Sequence, residues 1–351
     1  MKTKPMTKFA ILALSLVLVA CAGGGSEEAG CPAIDGREIN VVATTPMIGE
    51  FVSQVGGEKI NLTVLMPPEA NPHTYEPAPQ DAGTIAEADL VFYTGLLYEP
   101  AALVKLLENS ACSTDILSEV GESVFPIEFK EGGHDDHDDH DDHDDEEGHD
   151  DEEGHDDEEG HDDEEGHDDH EGHNHGAYDP HFWFDPSRVA YAAEYIESRL
   201  IEFDPENESS YKSSADSFVS ELNDLTKQVS ELISTVPSQN RKLITTHESL
   251  GYLEAKFGLE VLSTIIPSLN SANEISPSDL AGVIDVIEDN NVKVIFIESE
   301  APSVYSETIV AETGIKPVTG LYVETLKPGQ SYSEFLISNV TLITENLQDT
   351  D

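Results

Sequence analysis

The sequence predicts an α/β protein in which two parallel-sheet α/β lobes are joined by one long helix. In each half of the chain, short β-rich runs alternate with helical segments, a pattern that indicates βαβ units. Between the halves, residues 206–236 carry an apolar stripe at helical spacing. A His/Asp/Glu-rich insertion at 131–176 has no apolar residue, so we predict a disordered loop within the first lobe.

The two lobes are predicted to span residues 38–205 and 237–351. In the first lobe, the predicted strands are 39–45, 61–66 and 89–95, and the predicted helices are 46–57, 78–87 and 99–109. In the second lobe, the predicted strands are 242–246, 259–265, 292–299 and 316–320, and the predicted helices are 248–257, 278–290, 303–313 and 331–347. Both halves are therefore predicted to share the same alternation of strands and helices.

The connecting segment 206–236 is predicted to be a single helix. Its apolar residues recur at alternating steps of four and three, and no Gly or Pro interrupts them. They are Tyr211, Ala215, Phe218, Leu222, Leu225, Val229, Leu232 and Val236. About 30 residues at ~1.5 Å each make a rod of roughly 45 Å, long enough to contact both lobes. We expect this internal packing and hence a monomer, with the seam of a coiled-coil dimer as the alternative.

The N-terminus has the features of an export signal. Three lysines precede an apolar run of 12 residues, FAILALSLVLVA. This run covers only about 18 Å, too short to span a bilayer, so we predict a signal peptide at 1–20. LVAC, which ends at Cys21, resembles the bacterial lipobox; this implies a lipidated Cys21, a flexible tether over 21–37, and an extracytoplasmic protein anchored to the cell membrane. An ordinary signal peptide with an incidental cysteine is the alternative.

Two further cysteines, Cys31 and Cys112, remain once Cys21 is assigned. Because an even pair in an exported protein favours a disulfide, we predict a bond between them. Two free, buried thiols are the alternative.

The charge distribution argues against nucleic acid as a partner. Removing the 26 acidic residues of segment 131–176 from the formal net charge of −55 leaves −29 for the remainder. Such an acidic surface repels nucleic acid and anionic membrane surfaces and favours cations, although a solvated acidic face is the commoner explanation.

Three histidines outside the insertion lie in motifs that are far apart in the chain. His73 occurs in NPHTYEP, His181 in DPHFWFDP and His247 in TTHESLGY. A proline precedes the first two, so stiff loops present these side chains. His73 and His247 also follow predicted strands, and ligands collect at the carboxyl ends of parallel strands. We therefore predict that the three histidines meet in a cleft between the lobes.

Three imidazoles favour a particular metal chemistry. Neutral imidazole is a good zinc ligand, and Zn²⁺ takes four tetrahedral donors, so a carboxylate or a water molecule must complete the set. Calcium and magnesium prefer oxygen ligands throughout. A zinc hydrolase is also compatible with three histidines and a water, but no HExxH motif occurs in the chain.

These motifs, together with VIFIES and LYVETL followed by GQSYSEFLISN, resemble those of the zinc-type solute-binding lipoproteins of bacterial ABC metal importers (cluster A-I, the zinc/manganese-binding family). The resemblance covers residues 38–347. It implies a protein that is not an enzyme, that binds Zn²⁺ as transported ligand and that delivers it to an ABC permease membrane subunit. Manganese is the alternative metal, although the histidine at position 247, where manganese-binding relatives often have Glu, favours zinc.

The resemblance also implies a ligand set. His73, His181 and His247 match the family's metal-binding histidines, and Glu324 stands where the family usually has Asp. Because Glu is one methylene longer, water is the alternative fourth donor. A ligating histidine commonly donates its other ring N–H to a carboxylate or a carbonyl group. The candidates for this role are Glu76, Asp179, Glu248 and Glu298.

The insertion holds 11 of the chain's 14 histidines. They are His134, His137, His140, His143, His149, His155, His161, His167, His170, His173 and His175. Imidazoles in an unstructured segment chelate zinc weakly, and neighbouring carboxylates raise the local cation concentration. We predict an auxiliary metal-capture loop that buffers Zn²⁺, with a solubilising insertion as the alternative.

Overall fold

The computed structural model describes residues 31, 34, 36–129, 178–300 and 304–348. Over these ranges the chain forms nine α-helices and eight strands, and every named strand pair is parallel. The predicted α/β class is thus confirmed. The predicted signal peptide, Cys21 and the eleven histidines of the insertion lie outside the described residues.

The first lobe is built on a four-stranded sheet with the order β2-β1-β3-β4. Its strands are β1 (Ile39–Ala43), β2 (Ile60–Val64), β3 (Leu90–Tyr93) and β4 (Leu117–Glu119). Its helices are α1 (Pro46–Gly56), α2 (Pro79–Ala86) and α3 (Ala101–Ser110). Strand β4 was not predicted, because three residues are too few to show an alternating pattern. The strands end at one edge, from which the loops that carry the candidate site extend.

A helix that was not predicted, α4 (Pro186–Phe203), follows the second histidine motif. The Asp185 side chain caps it by accepting a hydrogen bond from the backbone N–H of Ser187 at 2.9 Å. Its buried residues after Pro186, in helical spacing, are Val189, Ala192, Ala193, Ile196 and Leu200. The helix packs along the connecting helix and so fixes the position of the DPHFWFDP motif directly before it.

The connecting helix is α5 (Glu208–Ser234), close to the predicted 206–236. Its apolar face is buried within the same chain, against α1, α4 and α9 (Tyr332–Gln348). This packing favours the internal helix over a coiled-coil seam. In the last turn, Ile233 is buried and Leu232 is only half-buried, so the predicted stripe is displaced by one residue there.

The second lobe contains two parallel strand pairs that lie next to each other through β5 and β7. Its strands are β5 (Lys242–His247), β6 (Glu260–Ile266), β7 (Val294–Glu298) and β8 (Lys316–Leu321). Its helices, in addition to α9, are α6 (Gly251–Phe257), α7 (Pro277–Asn290) and α8 (Val304–Thr313). The elements agree with the predicted order, and their ends differ from it by a few residues.

Cys31 and Cys112 are joined by a disulfide, with their Cα atoms 5.0 Å apart. The bond attaches the start of the described chain to the segment just after α3. Among the helices that the structure describes, none is both long enough and apolar enough to cross a membrane.

Candidate metal centre

Four side chains that are distant in sequence meet between the lobes. His73 lies in a 3₁₀ turn after β2, His181 lies just before another 3₁₀ turn, His247 ends β5, and Glu324 follows β8. Each offers one donor atom, and these atoms all lie within 4.8 Å of one another. The first lobe supplies two of the donors and the second lobe supplies the other two. The cleft between the lobes therefore brings together the four residues of the predicted ligand set.

A neighbouring side chain holds the backbone of each histidine in place. The Asn71 side chain accepts a hydrogen bond from the His73 N–H at 2.9 Å, which fixes the turn that Pro72 begins. Asp179 does the same for the His181 N–H at 2.8 Å. Glu298, at the end of β7, accepts from the backbone N–H of His247 at 3.1 Å.

Two of the imidazole rings are also oriented by these carboxylates. Asp179 Oδ1 lies 2.8 Å from His181 Nδ1, and Glu298 Oε2 contacts His247 Nδ1. Because a carboxylate accepts, each Nδ1 carries a proton, so in the neutral form of each ring Nε2 presents its lone pair to the centre. His73 differs, since its Nδ1 has no hydrogen-bond partner among the described residues.

The other two candidates for orienting a ring do not contact one. The Glu76 residue is exposed. Glu248 Oε1 accepts a hydrogen bond from the Thr264 hydroxyl at 2.9 Å instead. Proximity in sequence alone did not distinguish these two residues from Asp179 and Glu298.

Glu324 is completely buried and its carboxylate reaches all three imidazoles. Oε1 lies 3.1 Å from His73 Nε2 and 3.0 Å from His247 Nε2, while Oε2 lies 3.5 Å from His181 Nε2. The extra methylene of Glu relative to Asp therefore does not keep the carboxylate out of the centre.

Sequence reasoning missed Tyr98, which contacts the centre from the first lobe. Its hydroxyl lies 3.0 Å from Glu324 Oε2 and 3.1 Å from the Glu324 carbonyl oxygen, and its ring is completely enclosed. Trp183 supports the same segment by donating its indole N–H to the Val323 carbonyl at 2.8 Å. The position of Tyr98, just past the carboxyl end of β3, was the signal that could have identified it.

The second missed residue is Glu300, which lies behind Glu324. Its Oε1 accepts from the Glu324 N–H at 3.4 Å, and its Oε2 is buried without a hydrogen-bond partner in the described part of the chain. Burial, together with the neighbouring charges of Glu324 and Glu298, raises the pKa of Glu300 to about 8.

The charges of the centre shift the pKa values of its members in opposite directions. For His181, burial lowers the pKa, but the hydrogen bond that its Nδ1–H donates to Asp179 and the nearby charge of Glu324 outweigh burial and raise the pKa to about 8. For His247, burial is likewise outweighed by Glu298 and Glu324, and the pKa lies well above its usual value. For Glu324, burial raises the pKa, but the imidazoles hold it well below its usual range. The centre thus carries an anion that attracts either protons or a metal cation.

Four buried atoms at the centre lack hydrogen-bond partners among the described residues: His73 Nε2, His181 Nε2, His247 Nε2 and Glu324 Oε1. When the imidazoles are neutral and carry their proton on Nδ1, these atoms are all acceptors, and each nitrogen faces a Glu324 carboxylate oxygen at 3.0–3.5 Å. Buried acceptors without a donor require an explanation. A single divalent cation at the centre would accept a lone pair from each atom, and three nitrogens with one oxygen form a donor set that Zn²⁺ takes.

The comparison with protein families agrees with this geometry. Residues 41–346 match the model of the family described as ZnuA, zinc-uptake complex component A, periplasmic. The chain belongs to this family. The resemblance that the histidine motifs predicted is therefore confirmed.

Individual members of the family differ in the metal that their names state. The chain is 27% identical to the high-affinity zinc uptake system protein ZnuA of Bacillus subtilis, over 97% of this chain and 96% of the relative. It is 25% identical to the manganese ABC transporter substrate-binding lipoprotein PsaA of Streptococcus anginosus, over 98% and 99%. Both relatives align over nearly their whole length, so the family match includes both lobes.

A solved structure shows the same fold. The periplasmic zinc-binding protein TroA of Treponema pallidum superposes with a TM-score of 0.70 at 20% identity, covering 88% of this chain and 99% of TroA. The predicted two-lobe architecture with parallel sheets is thereby confirmed.

Proposed function

We propose that this protein is the extracytoplasmic binding component of an ABC importer, which captures Zn²⁺ and delivers it to the permease membrane subunit. The observation that carries the proposal is the convergence of three imidazole nitrogens and a carboxylate oxygen, all buried and all without other hydrogen-bond partners among the described residues. The family match and the ABC-transporter names of the relatives support it.

The donor set favours zinc over manganese. Imidazole suits zinc, whereas carboxylate, carbonyl and water oxygens suit manganese, and only one of the four donors here is an oxygen. Manganese binding is the second candidate, which the names of several relatives favour. Affinity alone does not decide between them, because most sites of this kind bind Zn²⁺ more tightly than Mn²⁺.

Growth of a suitable host distinguishes the two metals. The protein and its permease are expressed in a bacterium that lacks its own high-affinity zinc and manganese importers. Zinc import predicts rescue in zinc-depleted medium and not in manganese-depleted medium, and the opposite result would establish manganese. A His247→Ala variant is the control, since it should rescue growth in neither medium.

The arrangement also favours binding over catalysis. A catalytic zinc keeps one position open for water, whereas Glu324 here supplies a fourth donor from the protein. We therefore propose that the protein is not an enzyme. Incubating the zinc-loaded protein with activated esters and with CO₂ tests this, and turnover above that of a Glu324→Gln variant would contradict it.

We further propose that the protein is a lipid-anchored monomer with a signal peptide at 1–20, a tether at 21–37, lobes at 38–205 and 237–351, and a connecting helix at 206–236. Lipoprotein names among the relatives support the anchor at Cys21. Metabolic labelling with a fatty acid should mark the wild type and not a Cys21→Ala variant. Light scattering of a soluble form tests the monomer.

The histidine-rich segment 131–176 is proposed to capture and buffer Zn²⁺ near the cleft, on the basis of its composition. Deleting residues 132–176 should lower the number of zinc ions bound per chain and slow uptake at low zinc. Unchanged stoichiometry together with unchanged uptake would show that the segment has another role.

A further inference from the structure

A cavity of about 780 Å³ lies against the metal centre on the side of the first lobe. We name it the Tyr98 groove; it is lined by His73, Tyr98, Leu97, Glu119, Glu122 and other residues. Of the four donor residues, all of which belong to the described part of the chain, His73 alone lines this groove. The His73 and Tyr98 side chains therefore separate the groove from the centre.

His73 is also the donor that is held least firmly. Carboxylates bind the Nδ1 atoms of His181 and His247, whereas His73 Nδ1 has no hydrogen-bond partner among the residues that the structure describes. The His73 ring packs edge to face against Tyr98, with their centroids 5.0 Å apart. Displacement of Tyr98 would thus uncover an imidazole that is free to turn toward the groove.

The turn that leads into Tyr98 is strained. Gly95, Leu96 and Leu97 have φ values of 75°, 54° and 62°, in the left-handed region that leucine rarely adopts. Strained turns persist where surrounding contacts hold them, and they concentrate at ligand clamps and switch regions. Here Glu99 Oε2 and Glu119 Oε1 hold the turn by accepting from the N–H groups of Gly95 and Leu96, each at 2.9 Å.

The rim of the Tyr98 groove is negatively charged. Glu108 and Glu122 are exposed on it and Glu119 is half-exposed, while Lys105 is a cation on the same lining. Carboxylates around a cleft raise the local concentration of cations and speed their association, an effect that salt screens. The groove therefore combines a negative potential that attracts cations with direct contact to His73, the metal ligand whose Nδ1 has no hydrogen-bond partner among the described residues.

A second acidic cavity, of about 540 Å³, lies on the other side of the centre. It reaches Asp179, which is engaged with His181, and none of the four donors is in its lining within the described residues. A cation there would have to break the bond between Asp179 and His181 before reaching a nitrogen. The Tyr98 groove requires no such step.

We propose that Zn²⁺ reaches and leaves the centre through the Tyr98 groove, with Tyr98 as the side chain that opens and closes the route. This inference rests on the proposed function. Tyr98 closes the route by packing on His73 and by donating its hydroxyl to Glu324. The rim carboxylates draw the cation in, and His73 is the first donor that it meets.

Trp183 makes the route measurable in the full chain. It is the single tryptophan of the protein, and its ring centroid lies 5.5 Å from that of His181 and 5.3 Å from that of Tyr98. Stopped-flow tryptophan fluorescence therefore reports zinc at the centre rather than zinc bound by histidines elsewhere. Mixing with zinc gives the association rate, and mixing the loaded protein with excess chelator gives the dissociation rate.

The rim is tested with two matched variants. Glu108→Gln/Glu122→Gln removes two charges from the Tyr98 groove, and Glu254→Gln/Glu260→Gln removes two from the second cavity. The first should slow association about 2–10-fold at about 10 mM salt, and the difference should vanish near 1 M. The second should leave the rate unchanged. Equal rates for wild type and the first variant, or slowing by the second alone, would overturn the route.

The gate is tested with Tyr98→Phe. Loss of a gate accelerates association and dissociation together, whereas loss of a group that only orients Glu324 accelerates dissociation and weakens affinity in proportion. We expect association and dissociation both to become at least about threefold faster, as loss of a gate requires. Faster dissociation with an unchanged association rate would overturn the gate. Failure of the wild-type centre to bind zinc would refute the proposed function itself. Wild-type association and dissociation rates in Tyr98→Phe, with intact zinc affinity, would refute the route alone.

Discussion

A single oxygen of Asp179 accepts two hydrogen bonds from His181, one from the backbone N–H and one from ring Nδ1, both at 2.8 Å. This arrangement fixes the ring in the tautomer that directs Nε2 to the centre. Asp179→Ala should therefore weaken zinc binding about 10–100-fold, the usual effect of losing such a partner. Competition with a fluorescent chelator measures the change.

The control for this prediction is Glu248→Gln, because Glu248 was also a candidate from sequence but bonds Thr264 in the structure. Its zinc affinity should stay within about threefold of wild type. A loss as large as that of Asp179→Ala would mean that contacts to the rings do not decide which carboxylates matter.

The donors themselves should matter more than their partners. Replacing His73, His181 or His247 by Ala should each weaken zinc binding by more than about 100-fold, beyond the range of a supporting residue. Glu324→Gln keeps the shape of the side chain and removes its charge, so its effect measures the contribution of the carboxylate charge to zinc affinity. Wild-type affinity in His73→Ala would refute the centre as drawn.

Zinc affinity should fall as the pH is lowered from 8 to 6. The pKa of His181 is about 8 in the metal-free protein, so a proton must leave before its nitrogen can bind zinc. We expect a loss of at least about tenfold across this range. Calorimetry in two buffers of different ionisation enthalpy should also detect proton release on zinc binding. A zinc affinity that does not change with pH would contradict the raised pKa of His181.

The stability of the metal-free protein should change in the opposite sense. A histidine whose folded-state pKa is raised above 6.5 contributes stability that is present below that pH and is lost as the pH rises through about 8. The metal-free melting temperature should therefore fall between pH 6.5 and 8.5. A His181→Gln variant should show a weaker dependence.

The connecting helix offers a test of packing. Ile233 is buried and its neighbour Leu232 is half-buried, although the sequence stripe predicted Leu232 as the inward residue. Ile233→Ala should lower the free energy of unfolding by about 2–5 kcal/mol and Leu232→Ala by clearly less. Urea denaturation of the metal-free variants measures both values. A larger loss of stability in Leu232→Ala than in Ile233→Ala would support the inward position of Leu232 that the sequence predicted.

The elements with clear periodicity were predictable and the short or polar ones were not. Helix α5 was predicted because its apolar residues keep helical spacing over many turns. In the last turn, however, the buried residue is Ile233, one position after the residue that the spacing predicted. Helix α4 was missed although its buried residues fall in helical spacing, because two of them are the small Ala192 and Ala193, which make the apolar stripe weak. Packing of this face against α5 in the structure identifies it clearly.

The candidate site was predictable to the extent that its residues lie in distinctive motifs. The three histidines and Glu324 are found in such motifs, and the structure brings them together. Tyr98 and Glu300 are not, because their role depends on contacts with Glu324 from a distant part of the chain: Tyr98 reaches it from the other lobe, and Glu300 reaches it from the end of a different strand of the same lobe. No pattern within one segment encodes such a contact.

The bond between Cys31 and Cys112 determines where the folded body is attached to whatever precedes it. Helix α3 starts beside Tyr98, at the carboxyl ends of the strands, and runs back to the opposite rim of the sheet, where Cys112 lies. With the lipid anchor proposed at Cys21, the chain would join the membrane from this side of the first lobe, and the cleft between the lobes would face away from the point of attachment.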